Sequence, residues 1–306
     1  MIVLCGAQHA DPSLPRVLRE LGVADRVALV TAGWQEREGE PGVVPDPGVP
    51  VVDLALHARG EQVFADDAEL AVAYKARQLR LKLMQDFYRV RLDHAEQAAR
   101  AVAVRSADPE LIAEEHAASV ELIRQIDRDH LARCRAVQLA FEAMWKPRER
   151  AVLARHIHEL RVAIEPTRAI VIAGGHVAVL LNRLRLFGIA ELVEARPIVA
   201  WSAGAMALTD RVVLFHDDPP HGQAISEVLD TGLGLAPGLV VLPEPRLRLD
   251  LDDRGRVGEL AQRYAPAVCV AIEHDAQIWV DGGRAVRAVA AHRLDPGGTI
   301  EQAWSP

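Results

Sequence analysis

Short runs of β-branched residues alternate with helical patterns in the first and last parts of this chain, and this alternation constrains the fold most strongly. Near the N-terminus, apolar runs at 2–4 and 27–31 flank a helical pattern over 14–21 that ends at Gly22. Strand, helix and strand at this spacing predict a parallel βαβ unit. The alternation resumes at Ala169, so we expect an α/β core with a parallel sheet. Further strands are predicted at 51–54, 197–201, 212–215, 239–242, 268–272 and 277–280.

Between these two parts the period becomes helical. A mostly apolar stripe, with His116, Ser119 and His130 among its members, recurs every three or four positions from Ile112 to Met144, which predicts one face of a long helix beginning at Asp108-Pro109. A second long helix is predicted over 67–104, and a shorter one follows Pro147. Two helices of more than 30 residues span roughly 50 Å each, which is too long for a small sheet to cover. We therefore expect a projecting antiparallel insertion at 61–164, between core segments 1–60 and 165–306.

Composition and charge exclude several classes of partner. The chain has 35 Lys and Arg against 43 Asp and Glu, with no basic stripe, so no nucleic-acid binding is predicted. No apolar stretch approaches the roughly 20 residues of a membrane span. The three cysteines, Cys5, Cys134 and Cys269, have no metal or redox spacing, which suits a reducing cytoplasm. No cofactor is predicted, and the heptad-like stripes of the insertion predict a homo-oligomer.

The strand predicted at 197–201 ends on Ser202, followed by Ala203-Gly204-Ala205. A nucleophile elbow places its serine on a sharp strand-to-helix turn, where only small neighbours such as Ala200 and Gly204 fit. The N–H of Ala203 would then point to a developing oxyanion, and Gly175 is the candidate for a second donor. An ordinary strand-to-helix turn without catalytic function also favours small residues at these positions. Both interpretations, the nucleophile elbow and the ordinary turn, stay open here.

Three segments in this order, 173–176, 201–205 and 232–238, resemble the dipeptidase E / cyanophycinase family of serine peptidases. The resemblance covers about 2–56 and 167–282, and the helical insertion lies outside it. It implies a class I glutamine-amidotransferase-like fold, which is a three-layer sandwich around a parallel sheet. It also implies a peptide or amide substrate, Ser202 as the nucleophile, and Gly175 and Ala203 as the oxyanion donors.

The other catalytic groups of the family map less directly. Its acid falls in the loop at 216–221, on Asp217 or Asp218, and its histidine position is occupied by Glu244. A glutamate is a poor base for a serine hydroxyl, because its reference pKa is about 4.3, unless burial raises that pKa. An imidazole elsewhere is the alternative base, and the candidates are His176, His216, His221 and His274. Residues expected to contact the substrate are Trp201, Arg248 and His274.

Three functions therefore remain open. The first is a serine hydrolase acting through Ser202. The second is a catalytically degenerate relative that binds or assembles through its helical insertion. The third is an amidotransferase-like partner, although such proteins use a cysteine at the elbow. The loop at 216–221 has residue types that bind divalent metals, but an acidic rim of the site explains them as well, and no metal is predicted.

Overall fold

The computed structural model describes residues 1–8, 12–42, 44–193, 196–217 and 225–304. Over these residues the chain forms a mixed α/β fold with a parallel sheet, which confirms the predicted fold class. The strands are β1 Ile2–Cys5, β2 Val27–Val30, β3 Val51–Asp53, β4 Ala169–Ile172, β5 Ile198–Trp201, β6 Arg211–His216, β7 Ile225–Thr231, β8 Leu239–Pro243, β9 Val268–Ile272, β10 Gln277–Asp281, β11 Arg284–Val289, β12 His292–Leu294 and β13 Ile300–Gln302. The helices are α1 Leu14–Glu20, α2 Leu56–Asp66, α3 Ala68–Ala103, α4 Pro109–Trp145, α5 Ala151–Ile164, α6 Val177–Leu186, α7 Ile189–Val193, α8 Ala203–Leu208 and α9 Arg254–Tyr264.

The main sheet has seven strands in the order β11-β10-β1-β5-β4-β2-β3. The five strands from β1 to β3 in this order run parallel, and β10 and β11 extend the sheet antiparallel beyond β1. Strands β4 and β5 are buried at every position, as central parallel strands are. Because the carboxyl ends of parallel strands meet at one edge, the segments after β1, β2, β4 and β5 lie together there.

Helices cover both faces of this sheet. Successive residues of a strand point to opposite faces, and β4 shows the consequence. Ala169 and Val171 pack in a cluster with α1, whereas Ile170 and Ile172 pack in the larger cluster that includes α6 and α8. Apolar residues on both faces require cover on both sides, and the result is a three-layer sandwich.

Two smaller sheets were not anticipated. Strands β13-β12-β9-β8 form one, with β8 and β9 parallel, and β6 and β7 form an antiparallel pair. The sequence predicted β6, β8 and β9 but left β7, β11, β12 and β13 unassigned. Short strands such as β12 and β13, of three residues each, carry too few positions to show a period.

The two long helices begin and end close to the predicted positions. Asp67 starts α3 by accepting a hydrogen bond from the N–H of Leu70 at 3.0 Å, and Asp108 starts α4 in the same way. The helices are antiparallel, because Tyr74 meets Phe141 with ring centroids 5.6 Å apart, while Tyr88 stacks on His130 at 4.2 Å. The pair packs on the body through β7 and α9. Treating 61–164 as a separate domain remains a proposal.

A buried charge cluster joins the helical pair to the body. Arg263 of α9 donates hydrogen bonds to both carboxylate oxygens of Asp127 in α4, each at 2.8 Å, and to Glu96 in α3 at 2.9 Å. It also reaches the hydroxyl of Tyr88 at 3.1 Å and the carbonyl oxygen of Ser226 at 2.6 Å. The side chains of Arg263 and Asp127 are 2% and 3% exposed, so neither charge has water to replace its partner.

Candidate active site

Ser202 lies on a sharp turn between β5, which ends at Trp201, and α8, which begins at Ala203. Its backbone has φ 50° and ψ −120°, a conformation that residues with a Cβ rarely adopt. The N–H of Ser202 donates to the carbonyl oxygen of Cys5 at 3.3 Å, and its own carbonyl oxygen accepts from Met206 at 3.1 Å. The neighbouring strand β1 and helix α8 therefore hold the strained residue from both sides.

Glycines are required around this turn. A Cβ on Gly204 would lie 2.5 Å from the carbonyl oxygen of Ile172, and one on Gly174 would lie 3.0 Å from the Cβ of Ser202. The same holds for Gly33 after β2, where a Cβ would lie 2.3 Å from the carbonyl oxygen of Gly174. Gly33 was not assigned to the site from the sequence, and its one signal was a glycine just after a strand. The ends of β2, β4 and β5 thus approach one another closely.

Two backbone N–H groups border the serine. Ala203 is the first residue of α8, so its N–H has no acceptor within the helix. Gly175 has φ 103°, is exposed, and follows Gly174, where an added Cβ would lie 3.0 Å from the Cβ of Ser202. The next N–H, of His176, is already bonded to the carbonyl oxygen of Gly33 at 2.6 Å, whereas no described residue accepts from the N–H of Gly175. The N–H groups of Ala203 and Gly175 therefore stay the candidate oxyanion donors.

Within the described residues, no side chain forms a hydrogen bond with the hydroxyl of Ser202. His176 is exposed, and its Nδ1 accepts a 3.4 Å hydrogen bond from the N–H of Val179 at the start of α6. His216 ends β6, and its buried Nδ1 has no hydrogen-bond partner among the described residues; His274 is exposed after β9. Asp218 and His221 lie outside the described residues.

Within the described residues, the carboxylate of Asp217 accepts hydrogen bonds from groups other than histidine. One carboxylate oxygen accepts a hydrogen bond from Nε of Arg256 at 2.8 Å, and the other accepts from the N–H of Asp250 at 3.1 Å. Its N–H donates to the carbonyl oxygen of Arg248 at 2.6 Å. These contacts hold Asp217 against α9 and Asp250, and they occupy one of the two carboxylates, Asp217 and Asp218, that were expected to orient a base.

Glu244 lies at the carboxyl end of β8 and has a left-handed backbone, with φ 50° and ψ 49°. Its N–H donates to the carbonyl oxygen of Ile272 at the end of β9, at 3.1 Å. Glu273 and His274, which follow β9, pack on Gly6. A Cβ on Gly6 would collide with the carbonyl oxygen of Glu273. Since Gly6 follows β1, and β1 is bonded to Ser202, the segments carrying Glu244 and Ser202 face the same edge of the fold.

The three residues expected to contact substrate have different surroundings. Trp201 is 5% exposed and packs in the cluster on the α1 side of the sheet, with Trp279. Arg248 is partly buried, with Cζ 5.6 Å from the centre of the Phe215 ring. His274 is exposed beside Gly6. Arg248 and His274 are thus more open to solvent than Trp201 is.

The cysteines are not available as thiolates, the form in which a cysteine acts as a nucleophile. All three are buried and free, and burial raises the pKa of Cys5, Cys134 and Cys269 to about 12 in each case. A protonated, buried thiol is inert. Over the described ranges, no cluster of three His, Cys, Asp or Glu side chains is arranged to hold a metal ion. No described helix has both the length and the apolar character to cross a bilayer.

A cavity of about 1090 Å³ lies between α3, α4, α6 and the turn at 232–234. His176 lines one end of it, but Ser202 does not. Its walls include the guanidinium of Arg77, whose Cζ lies 4.0 Å from the ring centre of Tyr74 and 4.4 Å from that of Phe141. The cavity is therefore formed largely by the helical pair, and His176 is one of its lining residues next to the Gly174-Gly175 turn.

Comparison with known proteins adds little to this geometry. No family model matches the chain, and no curated protein matches it. Among solved structures, it is similar to a peptidase from an acI-B1 Actinobacterium, with 13% identity and a TM-score of 0.40. The match covers 96% of this chain and 90% of that one. So distant a likeness carries no functional argument.

Proposed function

We propose that this protein is a serine hydrolase that cleaves a peptide or amide bond through an acyl-enzyme on Ser202. The observation that carries the proposal is the backbone of Ser202, held at φ 50° between β5 and α8. Such strain costs about 1–3 kcal/mol and is found mainly at functional sites. The dipeptidase E / cyanophycinase family, which the sequence resembles, uses a serine at this place in the fold.

The chemistry follows from the groups around the turn. The hydroxyl oxygen of Ser202 attacks the carbonyl carbon, and the negative charge that forms on the carbonyl oxygen is stabilised by the N–H groups of Ala203 and Gly175. The hydroxyl proton passes to a base and then to the leaving amine, and water releases the acyl group. The candidate bases are Glu244, His176, His216, His221 and His274, and Arg248 and His274 are expected to contact substrate.

Labelling with a fluorophosphonate probe tests the nucleophile. We expect one labelled peptide, containing Ser202, and no labelling of Ser202→Ala. The matched control is Ser119→Ala, since the hydroxyl of Ser119 lies inside α4 and donates to the carbonyl oxygen of Glu115 in the same helix. Absence of label from neutral to mildly alkaline pH, in a folded protein, refutes the proposal.

The pH dependence of labelling then identifies the base. A rate that rises with a midpoint near 6.5 indicates an imidazole, whereas a midpoint near 4.3 or moderately above it indicates a carboxylate. Loss of the pH-dependent step in Glu244→Gln assigns the base to Glu244. Loss in His176→Asn or His216→Asn assigns it to that histidine.

A second candidate function is binding without catalysis. It is favoured by the hydroxyl of Ser202, which has no hydrogen bond from a side chain in the described part of the chain. In this case the cavity beside the helical pair, or the pair itself, carries the function. The outcome that supports it is an unlabelled protein whose Ser202→Ala variant is indistinguishable from wild type.

A further inference from the structure

Helix α3 is apolar on two opposite faces. One face packs against α4 and the body through buried residues that include Leu70, Tyr74, Tyr88 and Leu92. The other face is exposed to solvent and carries Val72 (71% exposed), Leu79 (57%), Leu83 (49%), Phe87 (66%) and Val90 (59%). A surface helix normally places polar residues opposite its buried stripe. The second apolar face therefore needs an explanation beyond the folding of one chain.

The exposed residues form one continuous stripe. They follow one another at steps of seven, four, four and three, which keeps them on one side of the helix over about 27 Å. Isolated surface leucines are common, but a contiguous apolar stripe marks an interaction site. We call Val72, Leu79, Leu83, Phe87 and Val90 the α3 stripe.

The charges beside the α3 stripe indicate what covers it. One flank carries Lys75, Lys82, Asp86 and Asp93 at steps of seven, four and seven, so two positive charges are followed by two negative ones. Neither lysine forms an ion pair with any residue in the described ranges. Asp86 pairs loosely with Arg89 at 3.6 Å, and Asp93 accepts a hydrogen bond from Gln97 at 2.8 Å. When two copies of the helix run antiparallel, the lysines of one copy therefore lie opposite the aspartates of the other.

We propose that two copies of this chain form a dimer through the α3 stripe, with the two helices antiparallel and Leu83 close to the two-fold axis. In that arrangement Leu79 meets Phe87 of the second copy, and Lys82 lies within one helical turn of Asp86 of the second copy. Lys75 faces Asp93 in the same way. The contact is isologous, so each pair occurs twice. The dimer does not depend on any activity of Ser202.

Molecular mass in solution tests the dimer. Light scattering of the full chain at micromolar concentration is expected to give two chains for wild type and one chain for Phe87→Glu, and the variant keeps the circular dichroism spectrum of a folded protein. The matched control is Val162→Glu on α5. Val162 is also an exposed apolar residue (54%) but lies off the α3 stripe, so this variant is expected to stay dimeric. A monomeric wild type, or a dimer that Phe87→Glu leaves intact, overturns the proposal and assigns the stripe to another partner or to none.

Charge reversal tests the antiparallel order. Lys82→Asp places a negative charge opposite Asp86 in both symmetric pairs. We expect the dissociation constant of the dimer to rise about tenfold. Combining Lys82→Asp with Asp86→Lys restores complementarity and returns the dissociation constant close to that of wild type. If the dimer of the double variant dissociates more readily than the dimer of either single variant, the two residues do not face each other.

Cysteine cross-linking tests the position of the axis. Leu83→Cys is expected to form an intermolecular disulfide under copper-catalysed air oxidation, because the two copies of position 83 meet at the axis. Val72→Cys is not, since antiparallel helices separate its two copies by about 33 Å. The native cysteines are buried and do not compete. Equal cross-linking at both positions indicates parallel helices and refutes the arrangement.

Discussion

Replacing Ser202 by glycine is expected to stabilise the protein while removing its nucleophile. The backbone of Ser202 at φ 50° and ψ −120° suits glycine, and a side chain there costs about 1–3 kcal/mol. Glycine gives back about 0.5–1 kcal/mol through the greater entropy of the unfolded chain. The comparison with Ser202→Ala isolates the backbone, because both variants lack the hydroxyl. We therefore expect Ser202→Gly to exceed Ser202→Ala by about 0.5–2 kcal/mol in free energy of unfolding.

Urea unfolding followed by tryptophan fluorescence measures this difference. The control is Ala98→Gly, at an exposed position inside α3 with ordinary helical backbone, where glycine is expected to cost about 1 kcal/mol. The two alanine-to-glycine comparisons should thus have opposite signs. If the glycine variant at 202 is less stable than the alanine variant, the turn is not strained, and the argument that its strain marks a functional site fails.

Three further predictions concern the rest of the molecule. Arg263→Leu leaves the buried carboxylate of Asp127 without its partner and should cost about 3–5 kcal/mol in urea unfolding, against less than about 1 kcal/mol for Arg128→Leu, whose ion pair with Glu121 is exposed. Hydrogen bonding to Arg150 holds the pKa of Asp67 below its ordinary value of 3.8, so its ionised form stabilises the fold above that pH. This stabilisation disappears as pH falls through the lowered pKa, and Asp67→Asn should flatten the acid limb of a stability profile measured at several pH values. All three cysteines should resist a thiol reagent at pH 8 in the native protein and react together in urea, and a fast-reacting native thiol contradicts the burial that raises their pKa to about 12.

The sequence predicted the long helices and the buried strands well because each has a simple period. Helix α4 was expected from the Asp108-Pro109 start, and both carboxylate capping and the proline at its first turn are present. The start of β4 was predicted at Ala169, and β9 was predicted over 268–272, as the structure has both. Strand β13 was missed because it is short and exposed at every position, so it carries no hydrophobic pattern.

The candidate site was predictable as far as it depends on local backbone. Small residues around Ser202 indicated the turn, and the structure gives the positive φ that such a turn needs. Contacts between distant segments were not predictable. Nothing in the letters around Asp217 shows that its carboxylate is bonded to Arg256, which lies 39 positions further along the chain. The general base belongs to this second kind of information, which is why several candidates remained open.

The charge cluster around Arg263 has a consequence for how chains of this kind can change over evolutionary time. Arg263 lies 136 positions from Asp127 and 167 from Glu96, yet each of these acids requires it. A recombination event that exchanges the helical segment alone leaves Asp127 and Glu96 buried without Arg263, or Arg263 buried without the two acids. The helices can therefore be inherited or transplanted only together with the distant residue that neutralises them, and a chimera that respects this linkage should express where one that ignores it should not.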